Sequence, residues 1–457
     1  MKKVLILGAG LSASSLIKYM LDHSEKHNWT IRLGDVSLEI AQQKINGHPR
    51  GEAFTFDVNN EEQLGQEIEK ADIVVSMLPA RFHHLVAKLC IEHAVNMVTA
   101  SYISPEIKAM DQDAKDKGII ILNEIGVDPG IDHMSAMQVI NNVKAKGGKI
   151  LEFESNTGGL VAPKYDNNPW NYKFTWNPRN VVLAGQGNSQ FLHNGRYKYI
   201  PYNKLFERYE RINVLDLGEF EVYPNRDSLC YREIYGLEDV KTMFRGTIRR
   251  PGYSKAWNLF VQLGMTSDDY IFNNSETSTY RQFINSYLPY GVDKPVEQKI
   301  AEYLKVDEDS AMMYKLRWLG IFKDDVIGLK EATPAQILQK LLVSKWSLED
   351  DDIDMIVMQH QFVYRLKQKT KKIYSSMVVY GKDQVHTAMS ITVGTPVAIA
   401  TKMILTGEIS NLTGVHAPTI KEIYEPVMRE LEEHNIKFTE EEQDWVIDWE
   451  EEVSKNA

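Results

Sequence analysis

Short aliphatic runs alternate with longer amphipathic stretches through the first third of the chain. Buried parallel strands have continuous aliphatic sequences, and the stretches between these runs are long enough for crossover helices. The pattern therefore predicts an α/β fold with a doubly wound parallel sheet. The predicted strands are Val4–Leu7, Trp29–Asp35, Ala53–Val58, Ile73–Pro79, Asn96–Thr99 and Ile119–Asn123.

The first run leads directly into a glycine-rich turn of the form GxGxxA, which spans Gly8–Ala13. Gly8 permits a sharp turn, and Gly10 lets the backbone approach a pyrophosphate at the N-terminus of the next helix. The second run ends on Asp35, about 20 residues further on, where dinucleotide-binding sheets place a ribose-binding carboxylate. We interpret the segment as a Rossmann-like dinucleotide site, and the alternative is a structural strand–turn–helix.

Ligands of such sheets bind beyond the carboxyl ends of the strands, so the residues after each run are candidates for function. An oxidation of an amine needs a group that takes a proton from nitrogen, and hydrolysis of the resulting imine needs an activated water. The alternative for each candidate is a helix cap or a polar group satisfied within the fold. The strand-end candidates are Asp57, Met77–Pro79, Ser101, Tyr102 and Glu124–Pro129, and the candidates for proton transfer are His83, Tyr102, Glu124, Asp128 and His133.

The composition changes near Gly130, where glycine, proline and aromatic residues become frequent and the strands have an antiparallel or mixed pattern. We predict a Rossmann-like domain over residues 1–130 and an α/β substrate-binding and dimerisation domain with a helical insertion over residues 131–394. Helical periodicity returns from about Thr395, and residues 395–457 are predicted to complete the first domain.

Four aromatic residues in the second predicted domain occupy every second position, so they would share one face of an extended segment. This spacing is typical of a half-buried strand, and the alternative is one wall of a substrate pocket. Asn177 and Pro178 then predict a helix start with an N-cap and a first-turn proline. The four aromatic residues are Trp170, Tyr172, Phe174 and Trp176.

Two predicted turns of the same domain each carry an arginine. Pro224–Ser228 is a loop by composition, and Phe244–Thr247 places Arg245 beside a glycine that permits close backbone approach. A guanidinium pairs bidentately with a carboxylate, so either arginine is a candidate for binding an acidic substrate. The alternative is an ordinary surface ion pair.

Composition excludes several classes of function. The net charge of −11 and pI near 5.6 argue against sequence-independent binding of nucleic acid. Two cysteines, Cys90 and Cys230, do not make a disulfide framework, and no cluster has metal-ligand spacing, so we expect no metal. No signal-cleavage pattern follows the N-terminal lysines and no apolar stretch approaches 20 residues, so we expect a cytoplasmic protein with no membrane partner.

Six longer stretches, in order along nearly the whole chain, are more specific than the glycine turn. They resemble the L-glutamate-forming saccharopine dehydrogenases, also called saccharopine reductases. The resemblance implies a homodimer of three-part subunits with a Rossmann-like domain, an α/β substrate and dimerisation domain and a small helical part. It also implies NAD(P)-linked interconversion of saccharopine with glutamate and 2-aminoadipate 6-semialdehyde in lysine metabolism. The stretches are SMLPARFHHLVAKLCIEHAVNMVTASYISPEI, GVDPGIDHMSAM, GGLVAPKYDNNPWNYKFTWNP, YPNRDSLCYREIYG, FRGTIRRPGYSKAWN and VGTPVAIATKMILTGEI.

The resemblance also implies roles for individual residues. Seven residues are expected to contact the dinucleotide: Leu11, Ser12 and Ala13 at the pyrophosphate, Asp35 at the adenosine ribose, and Leu78, Val127 and Trp176 along the remainder of the cofactor. Those expected at saccharopine are Ser101, Tyr102, Asp128, Arg226, Arg245, Gly246 and Thr247. From their positions after the predicted strands, Asp128, Tyr102 and His83 are the expected catalytic residues, with Asp128 on the substrate amine.

Two positions depart from the family pattern. The NADP-dependent fungal relatives carry arginine where this chain has Asp35, and a carboxylate accepts hydrogen bonds from a free ribose diol but repels a 2′-phosphate. We therefore expect NAD to be favoured, with NADP possible because Arg32 is nearby. His84 is an extra histidine where relatives have proline, which leaves the role of His83 open.

Two other functions are consistent with the same sequence. One is a dehydrogenase of a carboxylated polyamine such as carboxynorspermidine, whose pocket should carry acidic groups where this chain has Arg226 and Arg245. The other is a non-enzymatic dinucleotide sensor, which has no need for polar groups converging above a nicotinamide.

Overall fold

The computed structural model of the protein describes residues 1–291 and 293–447. They form two compact units. The first contains residues 1–150, 365–369 and 377–440, and the second contains the described residues of 151–364, 370–376 and 441 onward.

The elements are numbered here in chain order. The strands are β1 (Lys2–Leu7), β2 (Trp29–Asp35), β3 (Gly51–Thr55), β4 (Ile73–Ser76), β5 (Asn96–Val98), β6 (Ile120–Leu122), β7 (Lys149–Val161), β8 (Asn188–His193), β9 (Arg196–Pro201), β10 (Glu210–Asn213), β11 (Glu219–Pro224), β12 (Thr242–Arg249), β13 (Asp354–Leu366), β14 (Lys369–Tyr380), β15 (Gly414–His416) and β16 (Thr439–Asp444). The helices are α1 (Ser14–Asp22), α2 (Leu38–Ile45), α3 (Glu61–Glu69), α4 (His83–His93), α5 (Pro105–Ala109), α6 (Asp111–Asp116), α7 (Ile131–Ala145), α8 (Pro178–Val182), α9 (Tyr202–Leu205), α10 (Tyr253–Gln262), α11 (Tyr280–Asn285), α12 (Val296–Leu304), α13 (Ala311–Leu319), α14 (Pro334–Trp346), α15 (Ala388–Thr406) and α16 (Lys421–Glu433).

The first unit is built on a seven-stranded parallel sheet in the order β15-β6-β5-β4-β1-β2-β3. The central strands are aliphatic and fully buried, with Val4–Leu7 at most 1% exposed, as expected for a parallel sheet covered on both faces. The order reverses direction at β1, so the carboxyl ends of β1 and β4 flank the crevice in which such sheets bind ligands. The predicted doubly wound Rossmann-like sheet is confirmed.

Helix α15 packs against α1 in this unit. The amide of Ser15 donates to the Ser390 hydroxyl at 2.9 Å, and a side chain at Gly394 would lie 2.6 Å from the Leu16 nitrogen. Among the described residues, α15 alone is long and apolar enough to cross a membrane by length and composition, and 72% of its apolar window is buried within the protein. The expectation that no apolar stretch approaches 20 residues is wrong here, because a helix enclosed in a core can be apolar on every side.

The second unit contains a nine-stranded mixed sheet in the order β10-β11-β12-β7-β13-β14-β16, with the β8–β9 hairpin beside β12. β12 pairs parallel to β7 and antiparallel to β11. The core of this unit contains side chains of α10, α13 and α14 together with those of β11, β12 and β13. The unit is the second α/β domain of the predicted fold, and its helices between residues 253 and 346 are the helical part.

The alternating aromatic segment is not a half-buried strand. Residues 166–177 form no strand, and Trp170, Tyr172 and Phe174 are at most 7% exposed. All three pack around Trp346, with ring centroids 5.2–5.4 Å apart. The predicted helix start is confirmed, since the Asn177 side chain accepts from the Arg179 amide ahead of a short helix that begins at Pro178.

Candidate active site

The glycine turn connects β1 to α1 and lies against the residue that follows β4. Gly8 has a φ of 102°, and a Cβ there would lie 2.8 Å from the carbonyl oxygen of Met77, so only glycine fits. At exposed Gly10, by contrast, an added Cβ would meet no atom within 4 Å. A single 3-10 turn, Leu11–Ala13, then leads into α1. The backbone beside Gly10 is therefore open, as the predicted contact with a pyrophosphate requires.

Asp35 lies at the end of β2 and supports this turn. Its Oδ2 accepts from the Ala9 amide at 2.7 Å, and its Oδ1 accepts from the Ser37 amide at 3.0 Å. Both carboxylate oxygens thus hold backbone groups. Asp57, the candidate after β3, is exposed and accepts from the amide and side chain of Asn59, so it braces its own turn.

His83 lies between two serines at the start of α4. Its Nδ1 is 2.9 Å from the Ser76 hydroxyl and its Nε2 is 2.7 Å from the Ser101 hydroxyl. The side chain is 2% exposed, and burial lowers the pKa of His83 to about 4. The imidazole is therefore neutral at physiological pH, and it connects β4 to the loop that follows β5.

Tyr102 and Asp128 meet where the loops after β5 and β6 converge. The Tyr102 hydroxyl donates to Asp128 Oδ1 at 3.2 Å, and both side chains are half-buried. Val127, beside Asp128, is 7% exposed, and Leu78 after β4 is partly buried. The structure thus brings together two of the three predicted catalytic residues directly, while His83 reaches the same loop through Ser101.

The two arginine segments of the second unit are hydrogen-bonded to each other. The Arg245 amide donates to the Ser228 hydroxyl at 2.9 Å, and the Asn225 amide donates to the Arg245 carbonyl at 2.8 Å. Arg226 is exposed with a φ of 52°, whereas Arg245 is 3% exposed with its guanidinium 4.8 Å from the ring centroid of Tyr231. The loop around Arg226 thus lies against the strand that carries Arg245.

Arg245, Gly246 and Thr247 lie inside β12 rather than in a turn. Gly246 is therefore a strand residue and not the predicted turn residue, and packing requires it, because an added Cβ would lie 2.2 Å from Val222 and 2.5 Å from the Asn156 side chain. Trp176, the remaining predicted dinucleotide residue, also belongs to the second unit and is partly buried against its core.

Sequence reasoning missed the contribution of two serines. Ser76 is the last residue of an aliphatic strand, where a small polar residue gives no sign of function. Ser228 ends the loop that contains the candidate Arg226. The available signal was position, since each lies within a few residues of a predicted functional residue. No group of three or more His, Cys, Asp or Glu side chains suited to a metal occurs in the part of the chain that the structure describes.

A parallel sheet in this strand order, with a glycine turn after its central strand, defines a dinucleotide-binding α/β protein. Residues 4–122 match the family model of the saccharopine dehydrogenase NADP binding domain, and residues 126–436 match that of the saccharopine dehydrogenase C-terminal domain. The chain belongs to the saccharopine dehydrogenase family.

The chain is similar both to relatives about twice its length and to relatives of about its own length. The chain is 36% identical over 453 residues to the mitochondrial alpha-aminoadipic semialdehyde synthase of Mus musculus, an alignment covering 96% of this chain and 47% of that protein. The chain thus spans about half the length of that relative. It is 31% identical over 450 residues to the NADP(+), L-glutamate-forming saccharopine dehydrogenase of Schizosaccharomyces pombe, covering 96% and 99%. The apo saccharopine dehydrogenase (L-Glu forming) of Saccharomyces cerevisiae superposes with a TM-score of 0.88 at 31% identity, covering 97% and 100%.

The expectation that NAD is favoured is wrong. The matched N-terminal domain is an NADP binding domain, and the fungal relatives are named NADP(+) enzymes. A preference for NAD would require Asp35 to face the ribose as a free carboxylate. In the structure both of its oxygens accept from backbone amides of the glycine turn and the following loop, so its type and position alone did not define cofactor choice.

Proposed function

We propose that the chain catalyses the NADP-dependent interconversion of saccharopine with L-glutamate and 2-aminoadipate 6-semialdehyde. In the oxidative direction, saccharopine, NADP+ and water give glutamate, the semialdehyde, NADPH and a proton. A hydride leaves the carbon next to the secondary amine, and water then cleaves the resulting C=N bond. Family membership supports the reaction class, and the convergence of Tyr102 with Asp128 is the observation that carries the proposal.

The dinucleotide fits the first unit on structural grounds. Its pyrophosphate would lie over the open backbone at Gly10 and the turn Leu11–Ala13, where the N-terminus of a helix favours an anion. NADP+, when bound, supplies the hydride acceptor. Leu78, in the loop after β4, is proposed to line the remainder, while Asp35 is proposed to support the glycine turn through the Ala9 amide.

Asp128 and Tyr102 are proposed to handle the substrate amine. A carboxylate attracts the ammonium form and accepts its proton, which leaves the nitrogen lone pair available to assist hydride loss. The Tyr102 hydroxyl donates to Asp128 and fixes the orientation of its carboxylate. His83, neutral and buried, is proposed to orient the Ser101 hydroxyl rather than to exchange protons with the substrate.

Saccharopine carries three carboxylates, which two arginines on hydrogen-bonded segments are suited to bind. A carboxylated polyamine has fewer carboxylates and more ammonium groups, so this pair of arginines favours saccharopine. The homodimer and the cytoplasmic location remain predictions.

Replacing Arg226 tests the proposed recognition of substrate. Because Arg226 is exposed, Arg226→Ala should leave thermal stability nearly unchanged, while loss of a charge-assisted pair of about 1.5–3 kcal/mol should raise KM for saccharopine tenfold or more. Arg211→Ala is the matched control, since Arg211 is an exposed arginine of the same sheet that pairs with Glu219. An unchanged KM in Arg226→Ala, or faster oxidation of carboxynorspermidine than of saccharopine, would contradict the proposed substrate.

A further inference from the structure

A buried acid–imidazole pair links the two loops that carry Tyr102 and Asp128. Glu124 follows β6 and is 5% exposed, and His133 in the first turn of α7 is fully buried. Glu124 Oε2 lies 2.9 Å from His133 Nε2. The proposed function assigns neither side chain a role.

Glu124 holds the backbone on both sides of Tyr102. Its amide donates to the Ser101 carbonyl at 3.0 Å, and its Oε1 accepts from the Ile103 amide at 2.9 Å. Glu124 has a φ of 58°, an unusual conformation for a side chain of this size. That conformation lets one residue bond to the neighbouring loop through both its backbone and its side chain.

The opposite side of the pair holds the loop that carries Asp128. In the first turn of α7, the Asp132 amide donates to the Val127 carbonyl at 3.1 Å, and Asp132 Oδ1 accepts from the Gly130 amide at 2.6 Å. His133 is the next residue of this turn, with its Nδ1 3.7 Å from Asp132 Oδ2. The contact between His133 and Glu124 therefore connects the loop of Asp128 to the loop of Tyr102.

We propose that Glu124 and His133 are positioning residues that set the distance between the Tyr102 hydroxyl and the Asp128 carboxylate. The inference rests on the proposed function, in which that hydroxyl and carboxylate act on the substrate amine. The pair connects two loops, so the proposed role depends on the length of the Glu124 side chain, here called its reach, and on its hydrogen bonds to Ile103 and His133. Its ability to carry a charge or a proton is not required.

Two conservative substitutions separate reach from charge. Glu124→Gln keeps the length but cannot ionise; its oxygen accepts from the Ile103 amide, and its NH2 group donates to His133 Nε2 once the neutral imidazole carries its proton on Nδ1. Glu124→Asp keeps the carboxylate but is one methylene too short to reach both partners. We expect kcat for saccharopine oxidation within threefold of wild type in Glu124→Gln and at least tenfold lower in Glu124→Asp, with NADPH affinity unchanged in both.

Glu430→Gln and Glu430→Asp are the matched controls. Glu430 is a partly buried carboxylate of the same unit, bonded to Tyr19 and Lys402 on helices that carry none of the proposed catalytic residues. Both control variants should retain kcat within twofold. If Glu124→Asp is as active as Glu124→Gln, or if both lose activity equally, the proposal is overturned, because reach then does not govern the rate.

Two further measurements keep the test decisive. Hydrogen exchange of the Ile103 amide should accelerate tenfold or more in Glu124→Asp but not in Glu124→Gln, and this readout does not depend on turnover. If wild-type protein does not oxidise saccharopine, the proposed function fails while the exchange data still decide the positioning role. Should Glu124→Asp not fold, His133→Leu decides, since the proposal requires at least a tenfold loss of kcat when the hydrogen bond to Glu124 is removed.

Discussion

Burial determines which of the candidate residues can change charge. His83 is enclosed between two serine hydroxyls, whereas Asp128 is half-buried at a strand-end loop. The pKa of His83 is lowered to about 4 by burial, so the imidazole stays neutral where the enzyme works. Proton exchange with substrate therefore falls to Asp128 in the proposed mechanism.

The lowered pKa of His83 predicts a pH-dependent stability. Between pH 6.5, the usual pKa of histidine, and pH 4, about the pKa of folded His83, this side chain is protonated in the unfolded chain but not in the folded one. The free energy of unfolding therefore decreases as the pH falls through this range. Between pH 7.5 and 5 the loss from this residue is about 2 kcal/mol. Urea unfolding of wild type and His83→Gln at the two pH values should show a smaller loss in the variant, and equal losses would refute the assignment.

Asp128→Asn separates charge from shape at the proposed catalytic carboxylate. Asparagine accepts a hydrogen bond from Tyr102 but cannot take a proton, so we expect intact folding and NADPH binding with a large loss of kcat/KM for saccharopine. Steady-state kinetics with cofactor titration and a thermal melt provide the measurement. Near-normal turnover across the pH range would exclude Asp128 as the proton acceptor.

At the scale of elements, aliphatic patterning predicts most of the first sheet. Six of its strands were predicted from their runs, but the third was predicted at Ala53–Val58 and lies at Gly51–Thr55. The seventh, Gly414–His416, was missed because three residues, one of them glycine, carry no periodicity. The aromatic segment was misread because burial on all sides produces the same residue choice as burial on one face.

The boundary between the two domains differs between the family models and the compact units of the structure. The two family models meet near residue 124, close to the predicted Gly130, whereas the compact units divide after Ile150. Helix α7 accounts for the difference, since it packs against α16, where the Asn141 side chain donates to the Tyr424 hydroxyl at 2.8 Å. The boundary therefore remains a prediction.

Two glycines in helices predict opposite effects of the same substitution. Gly394→Ala places a Cβ 2.6 Å from the Leu16 nitrogen where α15 meets α1, and should destabilise by about 1–3 kcal/mol. Gly65→Ala, in the middle of α3 with its nearest atom 3.9 Å away, should stabilise by about 0.5–1 kcal/mol. Urea unfolding of both variants checks the contrast, and stabilisation by Gly394→Ala would show that α15 packs less closely than described.

The candidate site was predictable only in part. Strand-end position identified Tyr102, Asp128 and the glycine turn, because parallel sheets bind ligands at that edge. The contacts of Glu124 depend on its left-handed backbone, and those of Asp35 depend on where the Ala9 amide points. Hydrophobic periodicity predicts neither set of contacts. The role of Asp35 and the positioning of the loops by Glu124 are therefore visible only in the folded structure.

For the whole molecule, the net charge of −11 contrasts with a substrate that bears three carboxylates. Favourable binding therefore requires local positive charge, which Arg226 and Arg245 are proposed to supply within the second unit. The matches to both saccharopine dehydrogenase family models lie within this chain.

The most direct test is turnover by the purified full-length chain with saccharopine and NADP+, following reduced-cofactor absorbance and released glutamate together. The account predicts that NADPH and glutamate form in equal amounts and that omission of either substrate abolishes both. Reduced cofactor without glutamate would mean that a different amine bond is oxidised. Binding of NADPH with no turnover of saccharopine would contradict the proposed reaction and favour a dinucleotide sensor.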